Sequence, residues 1–314
     1  MSTSGTSASG AAWLFPGQGS QTVGMGRDLS GRYPAAMRVF DEASDALGLD
    51  LKRLAWDGPQ EDLDRTANTQ PALLVASIAA LRAAEEAAGG LAEPRVVLGH
   101  SLGEFTALVA AGALSLADAV RLVRRRGELM QAADPSGGML AVIGLDADRI
   151  AAAIADTGLV VANDNAPGQV VISGPRDDFE RASAALKEAG AKRVIPLRTS
   201  AAFHSPAMRA VAPDLAAALA GVAWSALRYT VIANVDAAPH EHAAEFPTLL
   251  ERQVWSPVQW VASMRRANGE GVTAYVEFGP GNVLTGLTKR ILAGARTANV
   301  SDETTLREAL PVLR

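Results

Sequence analysis

The sequence predicts an α/β fold in which a parallel-sheet domain is interrupted by a small module with its own sheet. Three observations carry this expectation. From Ala11 onward, short apolar runs alternate with stretches of helical periodicity, as expected for strands separated by helices. The run Arg95-Val96-Val97-Leu98 is continuous and β-branched, which suits a strand buried on both faces. Between about residues 137 and 197 the order becomes β-α-β-β-α-β, the pattern of a ferredoxin-like subdomain.

Taken in order, residues 1–10 (MSTSGTSASG) are small, polar and uncharged, and read as a disordered tail with no signal-peptide pattern. Trp13-Leu14-Phe15 is a short strand ending at Pro16-Gly17. Asn68-Thr69-Gln70-Pro71, a capping residue followed by proline, opens a helix whose apolar face runs through Leu74, Ile78 and Leu81 and which stops at Gly89-Gly90. The strand ending at Leu98 leads through Gly99–Gly103 into another helix. Ser115 and Asp118 then resemble a capping box, with Leu116, Val120, Val123 and Met130 following at helical spacing.

The inserted module reads as strand Met139–Leu145, helix Asp146–Asp156, strands Leu159–Ala162 and Gln169–Ser173, helix Asp177–Ala189 and strand Arg193–Leu197. The chain is thus divided into 11–136 with 198–314 for the large unit and 137–197 for the small one. The large unit resumes with a helix near Pro206–Leu219, a strand at Tyr229–Ala233, helices near Thr248–Val254 and Val258–Ala267, and a strand at Ala274–Phe278. Gly279-Pro280-Gly281 turns into a final amphipathic helix through Leu284, Leu287 and Ile291.

Composition narrows the function. The 314 residues include 29 Lys+Arg and 34 Asp+Glu, a formal net charge of −5, which disfavours nucleic-acid binding as a general role. At 48% hydrophobic and 20% charged, the chain is too apolar to be disordered. It has no cysteine, so disulfides, thiolate metal sites and cysteine nucleophiles are excluded. The longest apolar stretches, around Ala72–Leu81 and Phe105–Leu116, fall short of the about 20 residues that span a bilayer, and a cytoplasmic protein without membrane contact is expected.

Gly99-His100-Ser101-Leu102-Gly103 matches G-x-S-x-G between a buried strand and a helix, the context that this motif requires. Glycines let the turn close sharply and leave the Ser101 Oγ exposed above a helix N-terminus, where the Leu102 amide can donate to a developing oxyanion. A serine needs a base, and the chain has only 4 histidines. His100 adjoins Ser101 in the turn, where successive side chains diverge; His240 and His242 lie in a polar connection. That leaves His204, in Ser200-Ala201-Ala202-Phe203-His204-Ser205-Pro206, where a structural cap is the competing role. The loop Phe15–Gln21 suits a phosphate cradle, a second oxyanion donor or a plain turn, and spacing does not choose among them. In Arg124-Arg125-Arg126, helical rotation of about 100° per residue keeps the three side chains apart, so one can turn inward and would need an anionic partner such as a substrate carboxylate.

Together and in order, seven segments resemble the malonyl-CoA:acyl carrier protein transacylase family: FPGQGSQ (Phe15–Gln21), GHSLGEF (Gly99–Phe105), RGELMQ (Arg126–Gln131), NDNAPGQVVISG (Asn163–Gly174), AFHS (Ala202–Ser205), QVWSPVQW (Gln253–Trp260) and FGPGNVLTGLTKRI (Phe278–Ile291). The resemblance covers about residue 11 to 291 and implies a hydrolase-like α/β domain with an inserted ferredoxin-like subdomain. By motif it implies Ser101 as nucleophile, His204 as general base, and Gln18 and Leu102 as backbone donors to the oxyanion. It also implies Arg126 as the carboxylate ligand and a main-chain carbonyl at Gln253 that orients the histidine. Asn163 and Asn165 match cleft positions.

The implied reaction carries malonyl from malonyl-CoA to an acyl carrier protein, with no metal or redox cofactor. Phe203 before His204 resembles the malonyl-type enzymes. Phe105 where tyrosine is common, and Ser-Ala-Ala-Phe-His where Ser-x-Pro-x-His is common, lean towards discrete acyltransferases that load polyketide carrier proteins. Lys192-Arg193 and Lys289-Arg290 are candidate patches for an acidic carrier. A serine esterase or thioesterase is the reading from another class; it requires an Asp or Glu partner for His204 and gives Arg126 no role.

Overall fold

The computed structural model describes residues 10–314; the disordered tail expected over residues 1–10 therefore lies outside them, Gly10 excepted. The Gly10 carbonyl accepts from the Thr273 amide at 2.6 Å, so this residue already belongs to the sheet region.

The large sheet has six strands in the order β10-β9-β1-β2-β7-β8: β1 (Ala11–Phe15), β2 (Val96–Gly99), β7 (Val231–Ile232), β8 (Pro239–His240), β9 (Ala274–Phe278) and β10 (Arg296–Val300). All neighbours pair in parallel except the hairpin of β7 and β8. β1 is central and buried at every residue, the condition of a strand covered on both faces. Its alternate side chains serve two cores. Trp13 and Phe15 join one with helices α5 (Thr66–Ala88) and α7 (Leu116–Ala133), while Ala12 and Leu14 join another with α12 (Trp260–Gly269) and α13 (Val283–Ile291).

The second sheet has four strands, β3 (Gly137–Ile143), β4 (Val160–Ala166), β5 (Gln169–Pro175) and β6 (Arg193–Pro196), all antiparallel in the order β4-β5-β3-β6. With α8 (Ala147–Ala153) and α9 (Phe179–Glu188) it encloses its own core of Leu140, Val142, Ile150, Ile172 and Leu186. The sequential β-α-β-β-α-β pattern is therefore present, with strand ends displaced by a few residues from those expected. β4 is also tied to the large unit: the Val258 amide donates to the Ala162 carbonyl and the Asp164 amide to that of Val258.

Several expectations need correction. Helix α5 begins at Thr66, not at the Asn68–Pro71 segment, and Pro71 lies inside it. Proline removes the bond to the Ala67 carbonyl one turn back, and Arg124 Nη1 donates to that carbonyl at 3.3 Å instead. The expected helix over Pro206–Leu219 is a 3₁₀ turn (Pro206–Val211) followed by α10 (Ala212–Ala220). The expected strand at Tyr229–Ala233 contracts to Val231–Ile232. α13 is not final: β10 and α14 (Glu303–Leu313) follow it, the latter opened by an Asp302–Thr305 capping box. The four helices between Arg27 and Leu63 were not anticipated, although one of them, Pro34–Leu47, is 14 residues long and buries Ala36, Val39, Phe40 and Ala43 at helical spacing.

Candidate active site

The site forms where β1 and β2 end side by side, with Phe15 paired to Gly99. Ser101 follows β2 and precedes α6 (Leu102–Ala110) with φ 51° and ψ −105°, a conformation that L-residues rarely adopt and that costs on the order of 1–3 kcal/mol. The packing explains the flanking glycines. A Cβ on Gly99 would lie 1.8 Å from the Gly103 carbonyl carbon, and one on Gly103 would lie 2.0 Å from the Phe15 oxygen. The strained turn is held at both peptide groups: the Ser101 amide donates to Asn234 Oδ1 at 2.6 Å, and Gln253 Nε2 donates to the Ser101 carbonyl at 3.0 Å.

His204 Nε2 lies 2.7 Å from Ser101 Oγ. The other ring nitrogen, Nδ1, faces the main-chain carbonyls of Gln253 at 2.9 Å and Ser256 at 3.2 Å. Carbonyls only accept, so Nδ1 carries the proton and Nε2 is left to accept one from the serine. Burial, and then the charge of Arg126, push the imidazole down to about 3, so it rests neutral. Both hydrogen bonds from Nδ1 end on carbonyls, where an esterase triad would have an acid.

Arg126 is the member of the arginine run that turns inward: it is buried, whereas Arg124 is half-buried and Arg125 exposed. Its Nη1 donates to Gln70 Oε1 at 2.8 Å, and its Nη2 to Ser101 Oγ at 3.2 Å and Gln253 Oε1 at 3.0 Å. Its Nε–H is buried with no partner, and the guanidinium carbon sits 5.5 Å from the centre of the Phe105 ring. Desolvation lowers its pKa to about 10, which leaves it fully charged at neutral pH.

The loop after β1 packs on the elbow; a Cβ on Gly17 would come within 2.4 Å of the His100 carbonyl oxygen. Gln18, next in that loop, sends its side chain to Thr66 Oγ1 at 3.2 Å. Leu102 is the first residue of α6, where a helical N–H has no acceptor within its own helix. From the small unit, Asn165 Oδ1 contacts His100 Nε2 at 2.7 Å, and buried Asn163 lies at a β-bulge bridged to Val258. Phe203 is buried beside His204.

Lys192 and Arg193 stand exposed at the edge strand β6, consistent with a surface patch and outside the cluster around Ser101. Arg290 is engaged, donating to the Pro167 carbonyl at 2.9 Å and to Gln169 Oε1, so of that second pair Lys289 is the freer cation.

Three side chains of the cluster were given no site role from the sequence: Gln70, read only as part of a helix start, Glu104 and Asn234. Glu104, in the first turn of α6, is completely buried; its Oε2 accepts from the Asn234 amide and from Gln253 Nε2, both at 2.9 Å. Burial raises its carboxyl to about 7 against the lowering effect of these donors and of Arg126. Asn234, just after β7, also donates through Nδ2 to the Gly99 carbonyl at 2.7 Å. A lone carboxylate in a helix that is otherwise apolar was the available signal for Glu104.

The model of the acyl transferase domain family matches residues 12–307. A malonyl CoA-acyl carrier protein transacylase of Haemophilus influenzae is 47% identical over 297 residues, covering 93% of this chain and 95% of that protein. The chain belongs to the malonyl-CoA:acyl carrier protein transacylase family. Among solved structures of the family, an acyl carrier protein S-malonyltransferase from Vibrio cholerae superposes with a TM-score of 0.92 at 45% identity, covering 96% of this chain and 100% of that one. A malonyl-transacylase solved with a type II polyketide acyl carrier protein gives the same TM-score at 43% identity, covering 96% and 99%. The α/β transacylase fold is thereby shown, and the chain is an acyltransferase.

Proposed function

We propose that the protein moves a malonyl group from malonyl-CoA to the phosphopantetheine thiol of an acyl carrier protein through a malonyl ester on Ser101. The observation that carries this reading is the convergence on one atom: Ser101 Oγ meets the His204 Nε2 acceptor and the Arg126 Nη2 donor. Nucleophile, base and cation are thus assembled before substrate arrives.

In the first half, Ser101 Oγ attacks the thioester carbon while its proton passes to His204 Nε2. The tetrahedral oxyanion is held by the amides of Leu102 and Gln18 and by the dipole of α6. The C–S bond then breaks, and coenzyme A leaves as the thiol with the proton from Nε2. In the second half the carrier thiol gives its proton to His204, attacks the serine ester and departs acylated, restoring Ser101. Arg126 binds the malonyl carboxylate throughout, and the Gln253 and Ser256 carbonyls hold the imidazolium. Asn163, Asn165 and Phe203 shape the cleft in this reading. The chemistry draws on side chains and amides alone, without metal or redox cofactor.

The reaction is the same for a fatty-acid carrier and a polyketide carrier, and one similar protein was solved with a type II polyketide acyl carrier protein. We place it in the cytoplasm. Compatible with that, no helix among the described residues is long and apolar enough to cross a membrane. Lys192 and Arg193 are assigned to carrier docking; reversing both charges should raise the KM for carrier protein, and an unchanged KM would remove the assignment.

Arg126→Ala tests the function. Transfer from malonyl-CoA should fall by about a hundredfold or more while activity on acetyl-CoA rises relative to it. Equal effects on the two donors would favour an esterase-like site.

A further inference from the structure

Gln253 is the node of the site. Its main-chain carbonyl accepts a hydrogen bond from His204 Nδ1, its Nε2 donates to Ser101 O and Glu104 Oε2, and its Oε1 accepts from Arg126. The amide can occupy this place in one sense only. Turned over, its NH₂ would face the Arg126 Nη2 donor, and its oxygen would face two acceptors, Ser101 O and Glu104 Oε2. Glu104 therefore acts on Arg126 without touching it. Its carboxyl lies in the first turn of α6, where every residue is buried, and the Asn234 amide fixes the same Oε2 from the side of β7.

We propose that Glu104 is a positioning residue for acyl selection: by holding the Gln253 amide with its oxygen toward Arg126, it sets the pose in which the guanidinium receives the substrate carboxylate. The inference rests on the proposed binding of malonyl by Arg126 and adds the residue that makes this binding selective. Arg126 has a flexible side chain, and three neutral acceptors aim it: the Gln70 and Gln253 oxygens and Ser101 Oγ. Loss of the Gln253 acceptor leaves Nη2 with the longer bond to Ser101 Oγ alone.

The test is the ratio of kcat/KM for malonyl-CoA to that for acetyl-CoA. Both values come from one preparation, so the ratio does not change with the fraction of folded enzyme. Glu104→Leu should lower it by about tenfold, chiefly through the KM for malonyl-CoA. Glu104→Gln keeps an acceptor oxygen in place and should hold the ratio within about threefold of wild type. Gln253→Met deletes the amide but keeps the carbonyl on His204. It should lower the ratio as Glu104→Leu does, and it provides the same test where that variant fails to fold. An unchanged ratio in Glu104→Leu or Gln253→Met would overturn the proposal, as would a Glu104→Gln ratio as low as that of Glu104→Leu. Wild type without malonyl preference would overturn the functional reading and this inference with it; a wild-type preference that survives in the variants would overturn the inference alone.

Discussion

Ser101 and His204, whose side chains meet at 2.7 Å, both hold positive backbone angles, with φ 51° and 57°. Outside glycine such angles persist only where the surroundings enforce them. Here packed glycines and the Asn234 and Gln253 side chains enforce the first, and the strain is part of how the hydrogen bond is set before substrate binds.

Gly103→Ala tests that enforcement. The new methyl would meet the Phe15 carbonyl at 2.0 Å, a backbone atom that cannot swing aside. Stability should drop on the order of 2 kcal/mol or more, and transfer by about a hundredfold, as read by urea unfolding and initial rates. Wild-type rates in the variant would show that the elbow is looser than described.

The acid–base prediction concerns His204. A base must be unprotonated to act, so activity is lost as pH falls through its pKa, here displaced down to about 3 by burial and Arg126. Sulfonylation of Ser101 by phenylmethylsulfonyl fluoride should therefore show no acid limb between about pH 5 and pH 8. Arg126→Met should move the limb upward, because the cation opposes a second positive charge. A wild-type midpoint near the ordinary histidine value would contradict the account.

Glu104 makes a prediction for stability. Its folded pKa, about 7, exceeds the ordinary 4.5, so the native state binds the extra proton between these values and stability falls as pH rises through them. The displacement corresponds to something on the order of 3 kcal/mol. Glu104→Gln removes this penalty, and its stability relative to wild type should be greater at pH 8 than at pH 5 in denaturant titrations. A pH-independent difference would place the carboxyl in a wetter setting.

How legible all this was in the sequence depended on the kind of signal. The elbow was plain because glycine, serine and the strand before them are local. The small module was plain because two helices alternate with four strands of ordinary length. Pro71 misled because its missing bond is replaced by Arg124, which is distant in sequence. β10 was missed because Arg296–Val300 is an edge strand, half-buried with little alternation. Helical rotation marked one arginine for the interior, but only the fold brings Gln70 and Gln253 onto it, Glu104 onto Gln253 and Asn234 onto Ser101, and no spacing encodes those contacts.

The central claim is the acyl ester on Ser101. Intact-mass measurement after brief incubation with malonyl-CoA should show a malonyl-sized increase on wild type that is absent from Ser101→Ala and discharged by holo acyl carrier protein. An active wild type that shows no adduct under rapid quench, or an adduct that persists in Ser101→Ala, would contradict it.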